Sequence, residues 1–143
     1  MAVRDDVLTA VTTALESATT GISYVTRDLT ESGFEWRKDQ YPGVRVTGGT
    51  ENKTRFCFGT VNNWQSEFYF DVTGFVVDSD ATATLENQRS TLIADIEQAV
   101  TGSTAPWIDC VPTEQRTDAG ESTGIGWVEC TFRATYLYSD GGP

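Results

Sequence analysis

The sequence predicts a single α+β domain over residues 1–143, because one long alternating strand, two separate amphipathic helices and several further strands occur along it. The alternating segment runs from Trp64 to Asp78. One side of this strand carries Trp64, Phe68, Phe70, Val72 and Val76, and the other side carries Gln65, Glu67, Asp71 and Thr73. A strand of this pattern belongs to a sheet that buries one face. We therefore expect a mixed or mainly antiparallel sheet of four to five strands packed by two helices, in the order α-β-β-β-α-β-β.

The first element is predicted to be an amphipathic helix over residues 3 to 19. Asp5 and Asp6 lie in its first turn, where the helix dipole favours negative charge, and Gly21 ends it. Its apolar stripe consists of Val3, Val7, Val11, Ala14 and Ala18, with Leu8 and Leu15 on the edge.

Strands fill the chain between this helix and residue 78. Ile22 to Leu29 can form a short strand, and a second strand runs from about Gly43 to Thr47. The pair Gly48-Gly49 ends that strand and opens a flexible polar loop near 47–54. Arg55 to Val61 then forms a hairpin with the alternating strand through a tight turn at Asn62-Asn63.

A second helix and a closing hairpin complete the domain. The helix spans about Ala81 to Val100 and carries its stripe at Leu85, Leu92, Ile93, Ile96 and Val100. The hairpin joins a short strand near Trp107–Val111 to a long strand over Ile125–Tyr138. We expect a flexible loop near 112–124 between them and a loose C-terminal tail over 138–143.

The strongest compositional signal is the net charge of -11, from 21 acidic and 10 basic residues. Only Lys38 and Lys53 are lysines, and threonine is abundant. Such a composition is similar to that of proteins from salt-loving or marine organisms and their viruses, where salt screens the self-repulsion. An ordinary acidic soluble protein is the alternative. Either way, the charge argues against a surface that grips nucleic-acid phosphates.

Three cysteines, Cys57, Cys110 and Cys130, lie far apart without a C-x-x-C spacing, which predicts buried reduced thiols. A Cys110–Cys130 disulfide between neighbouring strands is the alternative. The N-terminus lacks the apolar core of a signal peptide, and no apolar run approaches the ~18 residues of a membrane span. We therefore expect a protein kept inside a cell or packaged into something assembled there.

The commonest catalytic base is missing. There is no histidine, which removes the commonest general base and most zinc sites, and no phosphate-binding loop motif. Asp78-Ser79-Asp80 resembles the opening of a calcium loop, but the following glycine and the closing glutamate are absent, so helix capping explains it better. We expect no catalytic residue, no metal site, no cofactor and no enzyme activity.

Aromatic and apolar residues outside the predicted core indicate subunit contacts instead. Arg89 is a separate case, since it lies inside the apolar stripe of the second helix. Its guanidinium either extends past the sheet edge or forms an interface ion pair with an acidic neighbour. The candidate interface residues are Trp36, Tyr41, Phe75, Val77, Arg89, Trp107 and Trp127.

The order of these features resembles one family. Tyr41-Pro42 leads into a GVRV strand, an aromatic-rich central strand follows, and the last strand ends in Thr135-Tyr136-Leu137-Tyr138. The second helix has the spacing L-x6-LI-x2-I, at Leu85, Leu92, Ile93 and Ile96. In layout and length, nearly the whole chain is similar to the small tail-terminator, or tail-completion, proteins of long-tailed (siphovirus-like) bacteriophages and archaeal viruses.

The resemblance implies a structural virion protein whose copies form a homohexameric ring at the head-proximal end of the tail, assembled in the host cytoplasm. The ring caps the tail tube protein, ends its polymerisation and joins the tail to the head–tail connector or neck protein. DNA passes through the channel without specific binding, and an acidic channel wall suits this because it repels DNA. No membrane, cofactor or catalysis is implied.

Two alternatives remain open. Another head–tail connector, neck or minor tail protein shares this size and α+β layout. A different class is a small cone-shaped α+β ligand-binding domain or enzyme, whose curved sheet encloses an apolar pocket lined by Phe68, Phe70 and Phe132. A stable monomer that binds a small apolar ligand would favour the latter.

Overall fold

The computed structural model describes residues 3–17, 22–27, 37, 40–58, 61–77, 85–102, 109–117 and 125–139. Within these residues the chain forms two helices and five strands in the predicted order α-β-β-β-α-β-β. The elements are α1 (Val3–Ser17), β1 (Tyr24–Thr26), β2 (Gly43–Phe58), β3 (Val61–Val77), α2 (Leu85–Thr101), β4 (Asp109–Thr117) and β5 (Ile125–Ser139).

The five strands form one sheet in the spatial order β1-β2-β3-β5-β4. β1 runs parallel to β2, and the other neighbouring pairs are antiparallel, so the sheet is mixed. β3 pairs with β2 on one side and β5 on the other along almost its whole length. The strand that the alternation singles out is therefore the central strand of the sheet.

Both helices pack on the same face of the sheet, which we call the covered face. The alternation in β5 and most of that in β3 are confirmed, because their apolar residues meet in one core with residues of both helices. Leu8 and Leu15, predicted at the edge of the first stripe, belong to this core, whereas Trp64 of β3 is half-buried outside it. This core comprises Val7, Leu8, Val11 and Leu15 of α1, Leu92, Ile96 and Val100 of α2, Val44 and Val46 of β2, Phe68, Phe70, Val72 and Val76 of β3, and Val128, Cys130, Phe132, Ala134 and Tyr136 of β5.

α2 approaches the sheet closely at Gly74. A Cβ atom at this position would lie 2.5 Å from Leu92 Cδ2 and 3.1 Å from Val128 Cγ2. Any side chain at Gly74 would therefore overpack the layer between α2 and the sheet.

β2 differs most from its prediction. The residues near 47–54 were expected to form a loop, but they are strand residues, and β2 continues from Gly43 to Phe58. The glycine pair instead accompanies a β-bulge between Gly48 and Glu51, where a Cβ on Gly49 would lie 3.0 Å from the Tyr69 carbonyl oxygen. The hairpin turn also lies earlier than predicted, because Phe58 pairs with Val61 and Asn62 and Asn63 belong to β3.

The closing hairpin is also more regular than predicted. β4 extends to Thr117, so the first half of the expected loop near 112–124 is strand, and residues 118–124 lie outside the described residues. Pro112 and the polar residues after it are typical of loops, but an edge strand tolerates them at a bulge, here between Pro112 and Glu114. β5 runs to Ser139, so the tail predicted over 138–143 includes the strand's last two residues, and the rest of it is not described.

Candidate assembly surfaces

The face of the sheet opposite the helices, which we call the open face, is polar. Neither described helix contributes to it, and all of its residues defined here are half-buried. By register, the open face carries Arg45 and Thr47 of β2, Glu67, Tyr69, Asp71 and Thr73 of β3, and Glu129, Thr131, Arg133 and Thr135 of β5. Four threonines and five charged residues thus cover one side of the three central strands.

Charged groups on the open face pair with one another across strands. Arg133 Nη1 lies 3.7 Å from a Glu67 carboxylate oxygen, and the Thr131 hydroxyl donates a 2.7 Å hydrogen bond to Asp71. On the edge strand, Arg116 hydrogen-bonds Glu129 and lies 3.8 Å from Glu114. The hydrogen bond and charge of Glu129 raise the pKa of Arg116, followed by the charge of Glu114. Cross-strand pairs of this kind suit a surface that meets water or another polar surface.

One row of the open face is apolar. Phe75 pairs in register with Trp127 on β5 and Gly43 on β2, so Phe75 and Trp127 are neighbours on the open face. Phe75 is only 5% exposed although it lies outside the main core, whereas Trp127 is half-buried. Of these two predicted contact residues, Trp127 therefore keeps the larger surface for a partner.

The other candidate residues differ in how far the structure describes them. Tyr41 is half-buried just before β2, next to a cis Tyr41–Pro42 peptide bond. Val77 is the last residue of β3, and its side chain is not described. Trp36 and Trp107 lie outside the described residues, as does Asp78-Ser79-Asp80.

Arg89 is buried on the covered face, with 8% of its surface exposed. Its side chain lies over Gly126, where a Cβ would approach Arg89 Nη1 to 2.9 Å and Cδ to 3.3 Å. Gly126 therefore makes room for the arginine between α2 and β5. With so little exposed surface, Arg89 packs within its own chain and does not extend into water.

A polar cluster that the sequence does not predict lies on the covered face. The β-bulge moves Glu51 to the side of the sheet that carries Ser66 and Tyr136. Both hydroxyls donate hydrogen bonds to one Glu51 carboxylate oxygen, the Ser66 bond being 2.6 Å long. Ser66 and Tyr136 are almost completely buried, and Lys53 Nζ lies 3.8 Å from the other carboxylate oxygen. The cluster satisfies a buried carboxylate at the end of the core.

The two ends of the β2–β3 hairpin differ in shape. At one end lies the arm, which we define as residues 52–58 and 61–66. The arm extends beyond Glu67, the last β3 residue that lies level with a residue of β4. At the other end a cavity of about 180 Å³, which we call the α2 groove, lies beside the first half of α2. The α2 groove is lined by Pro42, Val76, Asn87, Gln88, Thr91, Leu92 and Asp95.

β4 forms one edge of the sheet and is tied to α2. The Gln115 amide donates a hydrogen bond to Glu97, and Thr113, the extra residue of the bulge, donates one of 3.2 Å to the Thr131 carbonyl. The bulge, Pro112 and the charged side chains are features that protect edge strands from uncontrolled pairing.

Cys110 and Cys130 are free thiols, as predicted, and form no disulfide with each other. Cys130 is buried, whereas Cys110, which was also predicted to be buried, is half-buried. Burial raises the pKa of both to about 12, with a smaller contribution from Asp109 at Cys110 and from Glu97 and Glu129 at Cys130. Neither thiol is therefore a reactive nucleophile near neutral pH.

The apolar pocket of the rival hypothesis is not formed by the residues proposed for it, and that expectation is wrong. Phe68, Phe70 and Phe132 are at most 1% exposed, and the rings of Phe70 and Phe132 stack with centroids 5.5 Å apart. Their side chains fill the space that a ligand would need. Among the described residues, no cluster of cysteine and carboxylate side chains is placed to hold a metal ion, and no helix is long and apolar enough to span a membrane.

Comparison with known proteins identifies a similar fold. No protein-family model matches the sequence, and no curated protein matches it. Among solved structures, a chain from the virion of a native gene transfer agent particle superposes with a TM-score of 0.58 and 15% sequence identity. The match covers 96% of this chain and 98% of that chain. At this identity the similarity shows a shared fold.

Proposed function

We propose that the protein is a structural virion protein that forms a ring on the tail tube, ends the polymerisation of the tube and joins the tail to the head–tail connector. The observation that carries this proposal is the fold match to a gene transfer agent virion chain over 96% of one chain and 98% of the other. Because almost nothing is left over on either side, the match concerns the whole domain and not a common substructure.

The distribution of polar and apolar residues supports an assembly role. One side of the sheet holds the core, and the opposite side presents paired charges, threonines and the half-buried Trp127. The net charge of -11 suits a channel through which DNA slides without specific binding, because like charges repel. The partners are other copies in a homohexameric ring, the tail tube protein and the connector or neck protein, and the location is the head-proximal end of the tail.

Another head–tail connector, neck or minor tail protein is the second candidate, since the same fold match supports it equally. The ligand-binding alternative has no comparable support, because the three phenylalanines assigned to its pocket are packed core residues.

The ring is tested by measuring the mass of the purified protein by light scattering between low and molar salt, and by imaging it in negative stain. We expect closed rings, with the ring fraction rising with salt because salt screens the repulsion between acidic copies. A protein that stays monomeric, alone and with its tube protein, and that binds a small apolar ligand would overturn the proposal.

The terminator role is tested separately by adding the protein to its tail tube protein during polymerisation. We expect shorter tubes, each with one closed end, and no effect on preformed tubes apart from capping. Rings that leave tube length unchanged but bind a portal or neck protein would assign the chain to the connector instead.

A further inference from the structure

The arm is the part of the chain with the least negative charge. Residues 52–66 contain no aspartate or glutamate, and this is the longest such stretch in a sequence with 21 acidic residues. The same stretch carries two of the ten basic residues, Lys53 and Arg55. In a chain with a net charge of -11, a second copy meets less repulsion at the arm than at the remainder of the surface.

The α2 groove is complementary to the arm in charge. Its floor contains the buried residues Val76 and Leu92 together with Pro42, and its wall carries the half-buried carboxylate of Asp95. The one basic residue of α2, Arg89, is 8% exposed, so the exposed surface of this helix is negative.

The arm and the α2 groove lie at opposite ends of the same strand. Gln65 in the arm and Val76 in the groove are both β3 residues, and at ~3.3 Å per residue their separation along the strand is roughly 36 Å. One copy therefore cannot place its own arm in its own groove. A contact between these two surfaces must join different copies.

We propose that the arm of one copy docks in the α2 groove of the next copy, with Lys53 of the arm placed against Asp95 of the groove. The inference rests on the proposed ring and identifies its contact. Because the two surfaces differ, the contact is head-to-tail. When the same contact is repeated and the rotation between neighbouring copies closes on itself, the copies form a ring. Lys53 can serve such a contact because 40% of its side chain is exposed beside Glu51.

The test is a charge exchange at Lys53 and Asp95, with self-association measured by light scattering at low salt. Lys53→Asp and Asp95→Lys should each raise the concentration needed for half-maximal association on the order of tenfold, because like charges then face each other. The double variant should restore association to within about threefold of the wild type. Asp109→Lys is the matched control, since Asp109 is exposed on the edge strand β4, which contributes no residue to either surface, and it should not weaken association.

Cross-linking gives a readout that does not depend on charge. Thr54→Cys in the arm and Thr91→Cys in the groove, both exposed positions, are combined with Cys57→Ser and treated with a short bis-maleimide at pH 7. Cys110 and Cys130 stay unreacted because burial raises the pKa of each to about 12. We expect covalent dimers and a ladder of higher species. Either single-cysteine variant should give no cross-linked product, because the contact joins residue 54 of one copy to residue 91 of the next.

The outcomes separate this inference from the proposed function. Rings that tolerate both charge reversals and give no ladder would overturn the arm–groove contact and leave the ring standing. Open filaments that depend on Lys53 and Asp95 would support the contact and overturn the closed ring. Absence of interchain cross-links at every concentration would overturn the contact whatever the oligomeric state.

Discussion

The covered face and the open face of the sheet are built from the same three strands but differ in chemistry. Within β3, Phe70 on the covered face is 1% exposed and stacks on Phe132, whereas the adjacent Tyr69 on the open face is half-buried. Within β5, Cys130 and Phe132 are buried beside α2, whereas Thr131 and Arg133 bond to side chains across the strands. The period of two thus divides the molecule into a stabilising side and a surface side.

This difference shows which side chains can be substituted without unfolding the protein. Burial of apolar area is the main favourable term in folding, and among the described residues the buried apolar side chains lie mainly between the helices and the covered face. The open face contributes short polar contacts, each of small net free energy because water competes for the same groups. Its residues are therefore available to an assembly, and substitutions there separate effects on association from effects on stability.

The largest expected effect compares Phe70→Ala with its neighbour Tyr69→Ala. Phe70→Ala should lower the free energy of unfolding by about 3–5 kcal/mol, because it leaves a cavity beside Phe68 and Phe132. Tyr69→Ala should lower it by only about 1 kcal/mol, because its side chain is half-buried on the open face. Urea denaturation of both variants at the same salt concentration checks the difference. Equal losses would mean that the open face carries as much of the stability as the core.

The Glu51 cluster is expected to have an intermediate effect. Tyr136→Phe keeps the ring in the core but removes a hydroxyl that donates to Glu51, and should cost about 1–2 kcal/mol because the acceptor is a charged, mostly buried carboxylate. Thr131→Val is the matched variant on the open face, where water can replace the lost bond to Asp71, and should cost less than about 1 kcal/mol. A loss for Thr131→Val as large as that for Tyr136→Phe would show that the open face is as dry as the core.

Most of the fold was predictable because it depends on periodicity. The alternation in β3 and β5 and the apolar residues of α1 and α2 indicate which side chains meet in the core, and the structure confirms most of them, with Leu8 and Leu15 in the core and not at its edge. The errors concern β2 and β4, where Gly48-Gly49 and Pro112 are typical of turns. In both places the chain forms a bulge, and only the pairing with a neighbouring strand distinguishes a bulge from a turn.

The surfaces were less predictable, because their properties arise from residues distant in sequence. Glu51 joins Ser66 and Tyr136 only because the bulge shifts the register, and no local pattern around Glu51 signals this. Phe75 was predicted as a contact residue from its place on the polar side of β3, but it is 5% exposed within its own chain. The lack of acidic residues over 52–66 was visible in the sequence, but its meaning depends on where the α2 groove lies.

The smallest expected effect concerns the ion pair between Glu67 and Arg133. Both side chains are more than a third exposed, and the closest charged atoms are 3.7 Å apart, so a double-mutant cycle with Glu67→Gln and Arg133→Gln should give a coupling of about 0.2–1 kcal/mol. The coupling should fall towards zero as the Debye length shortens from about 10 Å at 0.1 M to about 3 Å at 1 M salt. The coupling free energy is obtained from the unfolding of the monomeric variants at both salt concentrations. Phe70→Ala serves as the reference whose effect should not depend on salt. The coupling could instead persist at 1 M salt, but only under conditions in which the protein associates. This result would mean that another copy covers the open face, because salt cannot screen an ion pair from which a partner excludes water.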